Sequence, residues 1–330
     1  MMKRLALCVL ASTACSSSHS VGSTPGDGGG GGVTLGNEGG ATTSNGSSGG
    51  DGGAVVDARA SDASTIDDAS ADVAGYDVAP GQPSGHVRFA DWTPDAPAAG
   101  YSFCLAPQGT STWTGPFQPQ GLPFPNVAAY ADVPPGDYDL QVIGAGSSDC
   151  TAGVIPTSYG LPALSDGTYA TFATVGVVMP IGGDQSQKVV AFIDEVTGTP
   201  SGLMLRAIDA ASMVGYAQFG TGSQATGDFS VMFPLVPFGT ADTSTGDGGP
   251  TDPNGYALFG SLSGLELSAY SIDGSYTGSA TASNVSLASG IAATLVLVGG
   301  ENNGPPPQIM ICNDVAAAAG AASPCTVYSQ

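Results

Sequence analysis

The sequence predicts an all-β protein, built as two tandem Ig-like β-sandwich modules behind a disordered N-terminal tether. Three observations predict it. From Gly85 onward, short β-prone runs alternate with Gly, Pro, Asp and Asn punctuation, and few segments carry a 3.6-residue period. The same landmarks recur in the same order in two successive stretches. Before Tyr76 there is no aromatic residue, and Gly, Ser, Thr, Ala and Asp dominate.

The first element, residues 1–14, reads as an export signal. Lys3 and Arg4 form a positive n-region, Leu5 to Ala11 an apolar h-region, and Ser12-Thr13-Ala14 a small-residue cleavage site. Cys15 follows at once, and the arrangement resembles a bacterial lipoprotein, which implies lipid attachment at Cys15 and a place at the outer membrane or cell surface. Ser12 stands where such signals usually carry Leu, and Ser12-x-Ala14 also fits ordinary secretion with Cys15 unmodified. No stretch approaches the ~20 apolar residues that span a bilayer as a helix.

Residues 15–84 carry the anchor cysteine and the linker. Ser16 to Gly53 is mostly Gly, Ser, Thr and Asp, and Ala54 to Ala79 has no apolar stripe. Such composition cannot bury enough apolar area to offset its ordering entropy. As a Gly-rich coil it holds the folded part about 45 Å away.

Two modules follow, 85–198 and 199–330. In the first, Tyr138-Asp139-Leu140-Gln141-Val142 alternates as a half-buried strand does. Val189 to Ile193 and Leu295 to Val298 are continuous apolar runs that suit strands covered on both faces. Leu164 to Gly176 aligns without gaps on Leu287 to Gly299, and Arg88-Phe-Ala-Asp91 aligns on Arg206-Ala-Ile-Asp209. Val189 to Asp194 matches Gln308 to Asn313, and Gly136 matches Gly264. Each copy has the length of a sandwich domain with about seven strands.

The first module carries a family resemblance in three segments. Val87-Arg88-Phe89-Ala90-Asp91-Trp92-Thr93-Pro94-Asp95-Ala96-Pro97, Val133-Pro-Pro-Gly136-Asp-Tyr138-Asp-Leu-Gln-Val142 and Leu164 to Gly176 resemble, in order, the signatures of the bacterial domain-of-unknown-function family 4397. The resemblance implies exported, often membrane- or wall-attached β-rich modules in tandem, with no established catalytic activity. Asp91 stands where that family commonly has His. The second module keeps the spacing but lacks the P-D-A-P segment and the Tyr-Asp pair.

Charge limits the partners. The chain has 28 acidic and six basic side chains, a net charge of −22. Only Arg59, Arg88, Lys188 and Arg206 are basic beyond the signal. A chain this acidic repels nucleic acid and anionic headgroups. The membrane is expected as a partner through the lipid anchor alone, with polysaccharide or another envelope protein as ligand.

Six cysteines become four once Cys8 is removed with the signal and Cys15 is set aside for lipid. In an exported chain this suggests two disulfides. Of three connectivities, Cys104–Cys150 with Cys312–Cys325 is preferred because each pair lies within one repeat. On a loop-entropy account they contribute about 4 and 3 kcal/mol.

No catalytic constellation stands out. The two histidines, His19 and His86, have no G-x-S-x-G elbow to serve in the β-prone region from Gly85 onward, and H-E-x-x-H and P-loop motifs are absent. No cofactor is expected, and the chain reads as a non-enzyme. The competing class is a carbohydrate-active hydrolase using paired carboxylates such as Asp91 with Asp95 or Asp137 with Asp139. A third reading is a calcium-stabilised adhesin, for which Asp242, Asp247 and Asp252 supply the hard oxygen ligands. Arg88 and Arg206 occupy equivalent positions and are read as structural, pairing with carboxylates near the strand start such as Asp91 and Asp209. Trp92 and Trp113, with Phe117 and Phe124, are the candidate ligand-binding aromatics.

Overall fold

A computed structural model describes residues 76 and 78–329, apart from 156–158, 199–200, 242–250, 275–277, 301–303 and 322–323. The signal, Cys15, the linker up to residue 75, Asp242 and Asp247 lie outside the described residues. Those described fall in one compact unit, residues 60–330.

The fold is nearly all β. The first half contributes β1 (Gly85–Asp91), β2 (Tyr101–Pro107), β3 (Thr114–Leu122), β4 (Ala131–Val133), β5 (Tyr138–Gly144), β6 (Tyr159–Gly160), β7 (Tyr169–Val175) and β8 (Lys188–Asp194). The second contributes β9 (Leu203–Asp209), β10 (Tyr216–Thr221), β11 (Ser230–Pro237), β12 (Ala257–Phe259), β13 (Leu262–Ser271), β14 (Ser279–Leu287), β15 (Ala292–Val298), β16 (Gln308–Asn313), the short helix α1 (Asp314–Ala318) and β17 (Cys325–Tyr328). The first half forms two sheets, ordered β4-β1-β7-β8 and β3-β2-β5-β6. The second forms β12-β9-β15-β16-β17 and β11-β10-β13-β14. Strand for strand the orders are the same, with β17 added at one edge. In each half the first strand runs parallel to the seventh, β1 with β7 and β9 with β15.

Period-2 alternation sorts the side chains into three apolar layers. Val87, Phe89, Ala170, Phe172 and Val189 point into the first module's core with Phe103, Phe117 and Leu140. Leu203, Leu205, Ala207, Leu295, Ile309 and Ile311 point into the second module's core. The alternate residues of the same strands, Ala90, Ala173, Val175, Phe192, Ile208, Val296, Val298, Met310 and Cys312, pack together in a third cluster drawn from both modules. The β4-β1-β7-β8 sheet and the β12-β9-β15-β16-β17 sheet therefore pack on each other as a seam. This explains the continuous apolar runs: β8 turns Val189 and Ile193 to the first core and Val190 and Phe192 to the seam, and every residue of β15 is buried.

The register corrects one detail of the repeat. Thr171 sits opposite Phe192 across β7 and β8, and Thr294 opposite Cys312 across β15 and β16. Lys188–Asp194 therefore corresponds to Gln308–Asp314, one residue along from the match read in the sequence. Gly136 precedes β5, whereas Gly264 lies within β13 where its pairing with β14 shifts register.

Both disulfides form, Cys104–Cys150 and Cys312–Cys325. The first packs with Ile143 beneath Trp113. The second ties β17 to β16 directly across the ladder.

Candidate functional site

The densest polar chemistry in the described residues lies in the seam. Arg88 on β1 and Arg206 on β9 are among the largest fully buried side chains, with Asp194 and Asp314 buried beside them. Arg88 Nη2 donates to Asp314 Oδ1 at 2.6 Å, and Arg206 Nη2 donates to Asp194 Oδ1 at 2.6 Å. Each arginine thus pairs with the other module's aspartate. Each aspartate is meanwhile held by hydroxyls of its own module. Tyr130 donates to Asp194 Oδ2 at 2.8 Å, and Thr171 at 2.5 Å. Tyr256 donates to Asp314 Oδ2 at 2.8 Å, and Thr294 at 2.7 Å. Thr171 also accepts from Arg88 Nε, and Thr294 from Arg206 Nη2. Each guanidinium lies over its own module's tyrosine, Arg88 on Tyr130 and Arg206 on Tyr256.

The local fold explains the placement. Arg88 pairs in register with Thr171 across the parallel ladder, and Arg206 with Thr294. Tyr130 and Tyr256 directly precede β4 and β12, beside the same two arginines. Two guanidiniums and two carboxyls then meet with formal charge balanced. Burial raises Asp194's pKa, but Arg88 and Arg206 outweigh it and hold the group below the ordinary carboxylate range. Asp314 moves up, because burial and the charge of Asp194 outweigh its pairing with Arg88. Burial raises the Tyr130 and Tyr256 hydroxyls, which remain donors.

The pairing expected from the sequence is therefore corrected. Arg88 does not pair with Asp91, nor Arg206 with Asp209, because residues three apart on a strand point to opposite faces. Asp91 and Asp209 are fully buried and end their strands in equivalent turns. Asp91 Oδ1 accepts from Thr93 N at 3.0 Å and Thr174 Oγ1 at 2.7 Å, and Asp209 Oδ1 accepts from Ala211 N at 3.0 Å. Among the described residues, the second oxygen of each has no hydrogen-bond partner. Burial pushes Asp91 up to about 7 and Asp209 well above the carboxylate range.

The aromatic expectation is also corrected for Trp92, which is 2% exposed and lies in the seam against Phe192. Its position continues the seam face of β1, which the second module covers. Phe117 fills the first core, Phe124 packs at the seam, and Trp113 is half-buried over the Cys104–Cys150 bridge. These four do not make one exposed patch.

Of the other candidate carboxylates, Asp95, Asp139 and Asp252 accept from backbone N–H groups. Asp95 accepts from Val178 N and Met179 N. Asp139 accepts from Gly109 N, while Asp137 is exposed. Asp252 Oδ1 closes a turn on Asn254 N and Tyr256 N. Among the described residues, no three His, Cys, Asp or Glu side chains gather as a metal site. His86 stacks on Tyr169 and bonds Asp132.

Sequence reasoning found the two arginines but missed Tyr130, Thr171, Asp194, Tyr256, Thr294 and Asp314. The signal was present: Arg88-Tyr130-Thr171-Asp194 recurs in order as Arg206-Tyr256-Thr294-Asp314. No protein-family model matches this chain, and no curated protein matches it. The likeness to family 4397 accordingly rests on the three quoted segments.

Proposed function

We propose that this chain is an exported, non-catalytic protein, lipid-anchored through Cys15 at the outer membrane or cell surface, whose work is binding or envelope architecture. The observation that carries this reading is the seam. Both arginines of the folded modules are committed to the reciprocal pairs that join one module to the other. A joined two-module body behind a long polar linker suits display away from a surface. The three segments resembling family 4397 agree with it.

Intact mass spectrometry of membrane-fraction protein is the test. The expected mass is that of the chain starting at lipid-modified Cys15, with reduction reporting the two disulfides. An unmodified N-terminus in the medium overturns the anchor. Polysaccharide hydrolysis that disappears in Asp91→Asn or Asp95→Asn overturns the non-catalytic assignment.

A further inference from the structure

The loop between β7 and β8 presents Val178, Met179 and Ile181 outward, 46%, 73% and 56% exposed. Three large apolar side chains in four residues, with Pro180 among them, are costly to leave in water. The loop is nonetheless firmly held. Asp95 accepts from Val178 N through Oδ1 at 2.8 Å and from Met179 N through Oδ2 at 3.0 Å. Asp184 Oδ2 accepts from Ile181 N at 3.1 Å. Val177 and Gln185 close the loop's base, and Gln185 N reaches across the seam to Ser212 O at 2.8 Å. Asp95 belongs to the Pro94-Asp95-Ala96-Pro97 segment, which thereby acquires a physical role in fixing an apolar tip.

The tip's position fits presentation. The chain enters at the start of β1, where Ser84 bonds the turn before β7, and β7 runs parallel to β1. The loop after β7 is therefore at the opposite end, about 20 Å away at 3.3 Å per residue.

We propose that the loop at residues 177–187 is a docking surface for a protein partner that presents an apolar patch ringed by basic side chains. Charge complementarity selects this occupant. The chain carries a net charge of −22. Of its basic groups in the modules, Arg88 and Arg206 are buried, and Lys188 is turned onto Phe238 O. Among the described residues, nothing beside the tip attracts phosphate headgroups, whereas a basic rim is drawn by the long-range field of the whole molecule. A tip already ordered by Asp95 and Asp184 loses little conformational entropy on docking, so its apolar area is available for affinity.

This rests on the display reading for its setting but not on the lipid anchor. The test uses the purified chain from Cys15 onward without membrane, carrying ¹³C-methyl methionine. The probes are an amphipathic Leu/Lys peptide, a Leu/Glu peptide of equal length and phosphatidylcholine vesicles. The Met179 methyl signal is expected to move with the Leu/Lys peptide alone. Binding should weaken at least tenfold in Met179→Ser/Ile181→Ser and stay unchanged in Leu258→Ser, which alters an exposed leucine on β12. Asp95→Ala, which keeps the apolar side chains but frees their backbone, should weaken binding severalfold. Equal binding by the double variant and Leu258→Ser shows attraction by net charge alone and overturns the proposal. A Met179 response to vesicles in place of the peptide overturns it in favour of lipid. Either failure leaves the Cys15 mass test untouched, and an unmodified Cys15 leaves this one standing.

Discussion

Replacing Asp194 with Ala tests the seam. The change removes the 2.6 Å acceptor of Arg206, a second carboxylate oxygen 3.7 Å from Arg88, and the acceptor of the Tyr130 and Thr171 hydroxyls. Removing one partner of a buried ion pair costs about 3–5 kcal/mol, because the remaining charge stays buried without compensation. At roughly 2–4 °C per kcal/mol for a chain of this size, the melting temperature should fall by about 6–20 °C. Replacing the whole set, Arg88→Met, Asp194→Leu, Arg206→Met and Asp314→Leu, should recover most of that loss, since an apolar quartet leaves no orphaned charge. Scanning calorimetry reads both. The wild type should melt in one transition whose calorimetric and van't Hoff enthalpies agree, and Asp194→Ala should separate the modules into two. A fall under about 2 °C with a single transition refutes the seam as the coupling element. A quadruple variant no better than Asp194→Ala refutes the reasoning about orphaned charge.

Three further outcomes follow from the same geometry. Asp91's folded pKa of about 7 lies above its unfolded value near 3.9, so the folded state binds more protons between them and stability falls as pH rises through that window. Asp91→Asn should match wild type near pH 4 and exceed it by roughly 4 kcal/mol at pH 8, measured by urea unfolding; parallel pH profiles would refute this. Trp92→Ala, which empties a seam site against Phe192, should cost about 3–5 kcal/mol by the same assay, whereas a ligand-facing tryptophan would leave stability within about 0.5 kcal/mol. Cys104→Ala/Cys150→Ala should lose about 4 kcal/mol and Cys312→Ala/Cys325→Ala about 3 kcal/mol, from loops of 46 and 13 residues, and a reversed order in denaturant midpoints would refute the loop-entropy account.

How much of this was legible in the sequence follows from the range of each interaction. Tyr138 to Val142 showed its period because the pleat is local, and both disulfides followed from confinement to one repeat. The runs Val189 to Ile193 and Leu295 to Val298 announced that both faces of a strand were covered. They did not say by what. Trp92 read as a ligand aromatic because its cover, the second module, is remote in the chain. Arg88 was matched with Asp91 by proximity although the strand's period of two sets them on opposite faces, and its partner Asp314 lies 226 residues on. A one-residue slip in aligning β8 with β16 set Asp194 against Asn313 and hid the equivalence with Asp314.

The corrected register also shows why the reciprocal arrangement is economical in physical terms. Each module supplies one guanidinium donor and one Asp-Thr-Tyr acceptor set, so either seam face is complementary to the other by the same four residue types. Each module brings one charge of each sign, Arg88 Nη2 lying 3.7 Å from Asp194 Oδ2 in the first, and what the joined modules add is the 2.6 Å contact of each guanidinium with the other module's carboxylate. The apolar part of the seam, from Ala173 and Val175 to Val296 and Val298, supplies non-directional adhesion. The ionic quartet adds direction, because a slide of one residue along the strands, about 3.3 Å, would pull apart the 2.6 Å contacts of Arg88 with Asp314 and Arg206 with Asp194. The seam therefore fixes one register between the modules. That register is also what brings the loop carrying Val178, Met179 and Ile181 against Ser212 and holds the tip in place.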